Sequence, residues 1–259
     1  MIAFDEPFLL ALEAQRRSAH ARAKQERYLA LLQAQPGQRV LDLGCGGGDL
    51  CRALAPLVAP GGRVIGVDSA PEAVALARRL ADGAAPDGPT FERADGHQLP
   101  FADGAFDRAV CISVLAFCED PGRVLAELRR TLGADGRLLV AQSDEDTRVY
   151  NGHDRELGRR IMRAIADRGR DPWLARRLVQ LLTTAGFRSV EELVLTDVER
   201  RFTPDAGGHI VAHAWRKYLL EVAGIPEQDY VRWLADLEAC AQEGTYCYSV
   251  TTYAYVVER

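Results

Sequence analysis

Val40-Leu41-Asp42-Leu43-Gly44-Cys45-Gly46-Gly47-Gly48-Asp49 carries the fold of this chain. An apolar strand pattern over residues 39–43 runs into a glycine cluster, and a helix-like segment follows over residues 49–57. Glycine is needed where a backbone turns sharply and where a ligand must approach the main chain. A dinucleotide fingerprint reads G-x-G-x-x-G after a strand, with its last glycine opening the helix. Here the third glycine comes one position earlier, as Gly44-x-Gly46-x-Gly48, and Asp49 stands where that fingerprint wants glycine. A second acid, Asp42, precedes the turn. Two carboxylates beside a helix N-terminus oppose a pyrophosphate and favour a ligand carrying positive charge.

Working outward, Arg63-Val64-Ile65-Gly66-Val67-Asp68 is a second buried-strand pattern ending in an acid. It follows the turn by about 20 residues, the interval at which a doubly wound fold offers a carboxylate to ribose hydroxyls. Ser69-Ala70-Pro71-Glu72 reads as a helix start with Ser69 as its cap. A third strand over residues 90–94 ends in Asp95-Gly96, placed to bond an exocyclic amine, and a fourth covers residues 106–115. Polar tips on successive strands at one sheet edge describe an elongated, adenosine-containing ligand.

The ordered segments VLDLGCGGGD, VIGVDSAPEAVALAR, RADGHQLPFADGAFDRAV and EDPGRVLAELRRTLGADGRLLVA resemble the motifs of class I S-adenosylmethionine (SAM) dependent methyltransferases. The likeness covers residues 38–141 and is strongest to small-molecule enzymes of the quinone-biosynthesis type. It implies that Gly44, Cys45 and Gly46 contact the methionine portion of SAM, with Asp42 near its amino group. It further implies Asp68 on the ribose hydroxyls, Ser69 beside the adenine, and Asp95 and Gly96 on the adenine edge. Cys111 and Ile112 would border the methionine tail, and Tyr28 would belong to an N-terminal lid over the cofactor. The implied product is S-adenosylhomocysteine.

Composition is consistent with this. The 259 residues are 47% hydrophobic and carry a formal charge of −5, against the basic face that nucleic-acid backbones require. No apolar run is long enough to span a bilayer, and Asp5 and Glu6 read against a secretory signal. The six cysteines form no C-x-x-C pair, which points to a reducing, cytoplasmic setting. His209 and His213 stand at i, i+4 but no third ligand has a clear claim, so no metal site is expected. The expected partner is a small-molecule substrate, not nucleic acid or membrane, and the chain is expected as a monomer or homodimer.

The expected architecture is α/β: a Rossmann-like, doubly wound, seven-stranded sheet, mostly parallel, with an antiparallel last strand. Residues 1–36 form a helical lid, 37–199 the SAM-binding core, 200–244 an inserted helical cap, and 245–259 the final core strand. The cap is expected to shape substrate specificity.

SAM supplies the activated methyl, so the protein must hold the acceptor in line with it. Many relatives carry a leucine-histidine-histidine sequence after the fourth strand, whereas this chain reads Leu115-Ala116-Phe117-Cys118. The usual base is therefore missing. The acidic run Gln142-Ser143-Asp144-Glu145-Asp146, at a strand's carboxyl end, makes Asp144 and Asp146 the catalytic candidates, with His213 beside them. Phe117, Tyr246 and Tyr248 are candidates for the substrate wall. The leading reading is methyl transfer to oxygen, nitrogen or carbon of a small, specialised metabolite. The alternatives are a SAM-retaining enzyme such as a cyclase, or RNA or protein methylation.

Overall fold

The apolar run at the start of the glycine turn forms β1 (Arg39–Leu43), and it pairs in parallel with β2 (Arg63–Asp68) on one side and β4 (Phe106–Ile112) on the other. β3 (Thr90–Arg93), β5 (Leu132–Tyr150), β6 (Arg188–Glu199) and β7 (Tyr248–Glu258) complete a sheet of order β3-β2-β1-β4-β5-β7-β6. In this computed structural model, which describes residues 6–82 and 88–259, β7 runs antiparallel to both neighbours. The order reverses between β1 and β4, so the glycine turn sits at the switch point where open α/β sheets bind ligands.

Side-chain alternation explains the two-sided covering. Leu41, Cys111 and Val140 face one apolar layer, made with Leu125 and Leu128 of α5 (Pro121–Thr131) and Leu178 of α7 (Leu174–Thr184). Their neighbours Val40, Val110 and Leu139 face the opposite layer. That layer is made with Leu32 of α2 (Ala19–Leu32), Leu54 of α3 (Asp49–Val58) and Ala77 of α4 (Pro71–Ala81).

The N-terminal helical region breaks as expected, into α1 (Glu6–Arg16) and α2, with Ser18 accepting from the Ala21 amide. Residues 1–5 of the expected lid lie outside the described residues. A third cluster joins Trp215 between α8 (Gly207–Ala214) and α9 (Arg216–Glu221) to Trp233 and Leu237 of α10 (Glu227–Gln242). It also takes in Phe8 of α1, Tyr150 of β5 and Ile161 of α6 (Arg155–Ala166). The 200–244 segment thus packs on helices from both flanks and shares its core with them.

Four local expectations are corrected. β4 stops at Ile112, because Ser113 takes a left-handed φ of 59° and leads into a one-turn 3-10 helix at Leu115–Phe117. The strand expected to end at the acidic run continues through it to Tyr150, since β7 supplies hydrogen-bond partners beyond the parallel part of the sheet. The segment expected as helical from residue 200 begins its first helix only at Gly207, and Trp215 divides that helix from the next, giving α8 and α9. The N-cap of α4 is Ala70, not Ser69, and Asp68 Oδ1 accepts the Ala70 amide at 3.0 Å.

Candidate active site

Gly44, Gly46 and Gly48 have φ of 74°, 55° and 78°, conformations in which an L side chain is strained. A Cβ on Gly44 would lie 2.2 Å from Cγ2 of Val114, which the left-handed Ser113 brings over the turn. The loop amides are already engaged: Gly44 and Cys45 donate to the Val67 carbonyl, and Gly46 donates to Asp68 Oδ2 at 3.0 Å. A turn with its amides turned inward is a poor phosphate cradle.

Helix α1 packs on this turn. Glu13 of α1 is buried against Gly47, bonded by Arg16 at 3.1 Å and by Arg52 of α3 at 2.9 Å. Arg16 also lies against Gly46. Sequence reasoning missed these three residues, because an i, i+3 Glu–Arg pair on a helix reads as an ordinary solvated face. Tyr28 lies within the apolar layer between α2 and the sheet, and its buried hydroxyl has no hydrogen-bond partner.

Asp42 sits beneath the turn, buried, and accepts from Cys51 Sγ at 3.1 Å. Burial pushes its pKa up to about 6; the Cys51 bond and Arg16 oppose this, while Asp68 and Asp49 reinforce it. Four carboxylates (Asp42, Asp49, Asp68 and Glu13) and two arginines (Arg16 and Arg52) around a glycine turn match a ligand with an ammonium, a sulfonium and a carboxylate. That donor set fits the methionine end of SAM. Asp68, at the tip of β2, is half-buried, and Ser69 follows it at the surface. Asp95 stands at the tip after β3, mostly exposed, and is held by the amide and Nδ1 of His97 at 2.9 and 2.7 Å. Those bonds hold its carboxyl below its ordinary pKa, the backbone bond first. Gly96 lies over Leu43, while Cys111 and Ile112 end β4 beside β1. Apart from Tyr28, which is buried in the layer under α2, the cofactor candidates therefore gather along one sheet edge.

The catalytic candidates Asp144 and Asp146 lie on the extended half of β5. Asp144 is buried and holds Arg176 bidentately, at 2.7 and 3.1 Å, while Asp146 takes the same guanidinium at 3.3 Å and the Trp173 indole. Between them Glu145 is buried with two arginines, Arg148 at 2.8 Å and Arg168 at 3.0 Å. Burial alone would push the Glu145 carboxyl up; Arg148 and Arg168 together overcome it and hold it well below the carboxylate range. One carboxylate facing two guanidiniums leaves a surplus positive charge.

Phe117 and Tyr248 both border this group. Arg168 lies 5.8 Å from the Phe117 ring and 4.2 Å from that of Trp215, and Arg148 donates to the Tyr248 hydroxyl. Burial, the largest influence, pushes Tyr248 up to about 12. Tyr246 is buried beside Gly208, its hydroxyl unpartnered. His213 stands further out on α8, its ring stacked on His209 at 4.2 Å and its Nδ1 on the His209 carbonyl. Phe202 separates this histidine pair from Tyr246.

Two adjoining spaces open here. A small cavity is lined by Phe117, Gln142, Ser143, Glu145 and Arg168, next to the tip of β4. Within it the buried Gln142 Oε1 and Arg168 Nε have no hydrogen-bond partner. A groove of about 920 Å³, lined by Arg148, Tyr150, Met162 and Trp233, shares Glu145, Ala166 and Pro172 with it. Sequence reasoning named the acids of this run and missed the basic residues that face them; Arg148 and Arg168 carry no motif.

Residues 34–172 match the family model described as a methyltransferase domain. Over 240 residues the chain is 35% identical to an uncharacterized 37.1 kDa protein in transposon TN4556 of Streptomyces fradiae, covering 92% of this chain and 67% of that one. Over 105 residues it is 41% identical to a demethylmenaquinone methyltransferase of Thermus thermophilus, covering 40% of this chain and 47% of the relative. The match thus spans about half the length of that enzyme. Among solved structures, the [4+2]-cyclase SpnF shares the fold with a TM-score of 0.63 at 20% identity, covering 92% of this chain and 81% of its own. A phosphoethanolamine N-methyltransferase 2 of Haemonchus contortus, in complex with SAM, gives 0.60 at 17%, covering 98% and 57%. No helix among the described residues is long and apolar enough to cross a membrane.

Proposed function

The chain belongs to the class I SAM-dependent methyltransferases, and from this premise we propose that it methylates a small metabolite bearing an anionic oxygen, bound beside β4 on Arg168. The observation that carries the reading is the buried pair of arginines sharing Glu145, with Arg168 Nε and Gln142 Oε1 left without partners. Orphaned buried donors and acceptors cost about 1–3 kcal/mol each, a cost that a ligand removes by bonding them. Arg168 calls for an acceptor with negative charge, such as a carboxylate or phenolate. Gln142 Oε1 calls for a donor on the same ligand.

When bound, SAM supplies an activated methyl. The glycine turn, Asp42 and Arg16 hold its amino-acid end, Asp68 the ribose and Asp95 the adenine. Asp144 fixes Arg176 and Asp146 shares it, so these two act as positioning residues for the pocket wall. Phe117, Tyr246 and Tyr248 close the apolar side, and His213 stands behind Tyr246. An acceptor that arrives ionised at Arg168 needs no general base, consistent with the missing histidines after β4. The adjoining groove is the entry path, with Trp233 of α10 on its wall.

The test has two stages. Calorimetry with SAM, with NAD as control, should give binding that Asp68→Ala abolishes. Small phenols and carboxylic acids, each beside its neutral amide or ether, are then supplied with SAM while S-adenosylhomocysteine is measured. Methylation confined to the ionised members, with Arg168→Gln raising KM and leaving SAM affinity unchanged, supports the reading. Turnover of neutral members alone refutes the substrate class. SAM binding without S-adenosylhomocysteine across the panel favours the non-methylating alternative.

A further inference from the structure

At the edge of the groove, where His153 forms part of its lining, three side chains of different chemistry meet. His153 Nδ1 lies 2.7 Å from Asp236 Oδ1 and 3.6 Å from Cys240 Sγ, and all three ligand atoms fall within 4.8 Å of one another. We propose that His153, Asp236 and Cys240 form a zinc site that pins α10 to the turn before α6. Asp236 and Cys240 are i, i+4 on α10 and so share a helix face. His153 reaches them because Gly152 passes within contact of Asp236; a Cβ there would meet Asp236 Oδ2 at 2.6 Å.

The distances suit a tetrahedral ion. Zn–S of ~2.3 Å and Zn–N of ~2.0 Å require a sulfur-to-nitrogen separation of about 3.5 Å, close to the 3.6 Å observed. The Asp236 contact need open by only roughly half an ångström to reach the corresponding N···O value of about 3.3 Å. A mixed nitrogen, oxygen and sulfur set favours zinc over magnesium or calcium, which take oxygen ligands. The supporting shell is also present. His153 Nε2 contacts Glu243 Oε2 at 2.9 Å, the carboxylate–histidine arrangement that orients a metal-bound imidazole. Asp236 Oδ2 accepts the Asp154 amide at 3.0 Å, which leaves Oδ1 for the ion. Cys240 is buried, so its thiolate is shielded from competing thiols. Binding releases the Cys240 thiol proton and the proton on His153 Nδ1, and water takes the fourth position.

The experiment uses the full chain, stripped with a chelator and titrated with zinc, then with cobalt. One zinc per chain is expected, with a rise in melting temperature. Cobalt should give a near-ultraviolet thiolate charge-transfer band, because one ligand is sulfur. Cys240→Ser should remove that band, His153→Gln should lower zinc affinity at least tenfold, and Glu243→Gln should lower it about 10–100-fold at unchanged stoichiometry. His153 and Glu243 are exposed, so these two variants retain the fold and keep the test decisive even if Cys240→Ser does not. Failure to retain or bind one zinc, a band that survives Cys240→Ser, or unchanged affinity in His153→Gln overturns the site. SAM binding is a separate readout and should be unaffected.

Discussion

Cys51 Sγ donates to Asp42 Oδ2 across 3.1 Å, and both side chains are closed off from solvent beneath the glycine turn. Among the described residues, a neutral thiol makes the only hydrogen bond to this buried carboxyl, whose pKa burial has pushed up to about 6. Ionising Asp42 therefore costs the empty protein and favours a cationic ligand. SAM affinity should fall about fivefold between pH 6 and pH 5, as Asp42 becomes protonated, and level off above pH 7. Asp42→Asn should remove that dependence, with calorimetry at each pH as the measurement.

The same shift has a consequence for stability, of opposite sign. A carboxyl whose folded pKa is raised stabilises the fold below its unfolded value near pH 4 and loses that contribution as pH rises through about 6. Asp42→Asn should accordingly stabilise the cofactor-free protein at pH 8 by up to about 3 kcal/mol, and by nothing at pH 4. Urea unfolding at both pH values checks this.

Gly44→Ala should destabilise the protein by about 1–3 kcal/mol and abolish SAM binding, since the new Cβ meets Val114 with φ at 74°. Adding Val114→Ala removes the collision and leaves the backbone strain. Stability should recover in part, a non-additivity that a double-mutant cycle reads directly.

Glu145→Gln leaves Arg148 and Arg168 buried without a counter-charge, and should cost about 3–5 kcal/mol. Because Glu145 is held below its ordinary pKa, its contribution is complete above the unfolded value and fades only as pH falls below that. The wild type should keep it down to about pH 4, and the difference from the variant should shrink in stronger acid. Denaturation midpoints of both proteins between neutral and acid pH give the comparison.

Ile161→Ala, in α6 at the centre of the third cluster, should cost about 2–5 kcal/mol. The cap shares this cluster with β5 and α1, so we expect one cooperative thermal transition and no separate cap melting. Calorimetric and van't Hoff enthalpies that agree would bear this out.

The legible part of this molecule is its SAM-binding half, and the reason is local. Val40 to Asp49, Asp68 and Asp95 each lie at or next to a strand end, where backbone geometry admits few residue types. A parallel sheet repeats that arrangement at fixed chain intervals, so spacing alone carries position. Alternating apolar strands likewise predicted the two covering layers, and β7 was legible as the antiparallel last strand.

The substrate half was decided by tertiary structure. Asp144 and Asp146 stood out in the sequence as free acids, yet both meet Arg176, some thirty residues away on α7. Glu145 meets Arg148 and Arg168 only because β5 continues past the parallel sheet along β7 and α6 folds back over it. His153 lies 83 residues from Asp236, and Glu13 lies 39 from Arg52. A side chain's charge is written in the sequence, but its partner is set by which helices the apolar face of the sheet collects. What the chain by itself determined is the glycine turn after β1 and the acids at the strand tips. What only the fold decided is which arginine each buried carboxylate faces, and that pairing sets the charge of the pocket.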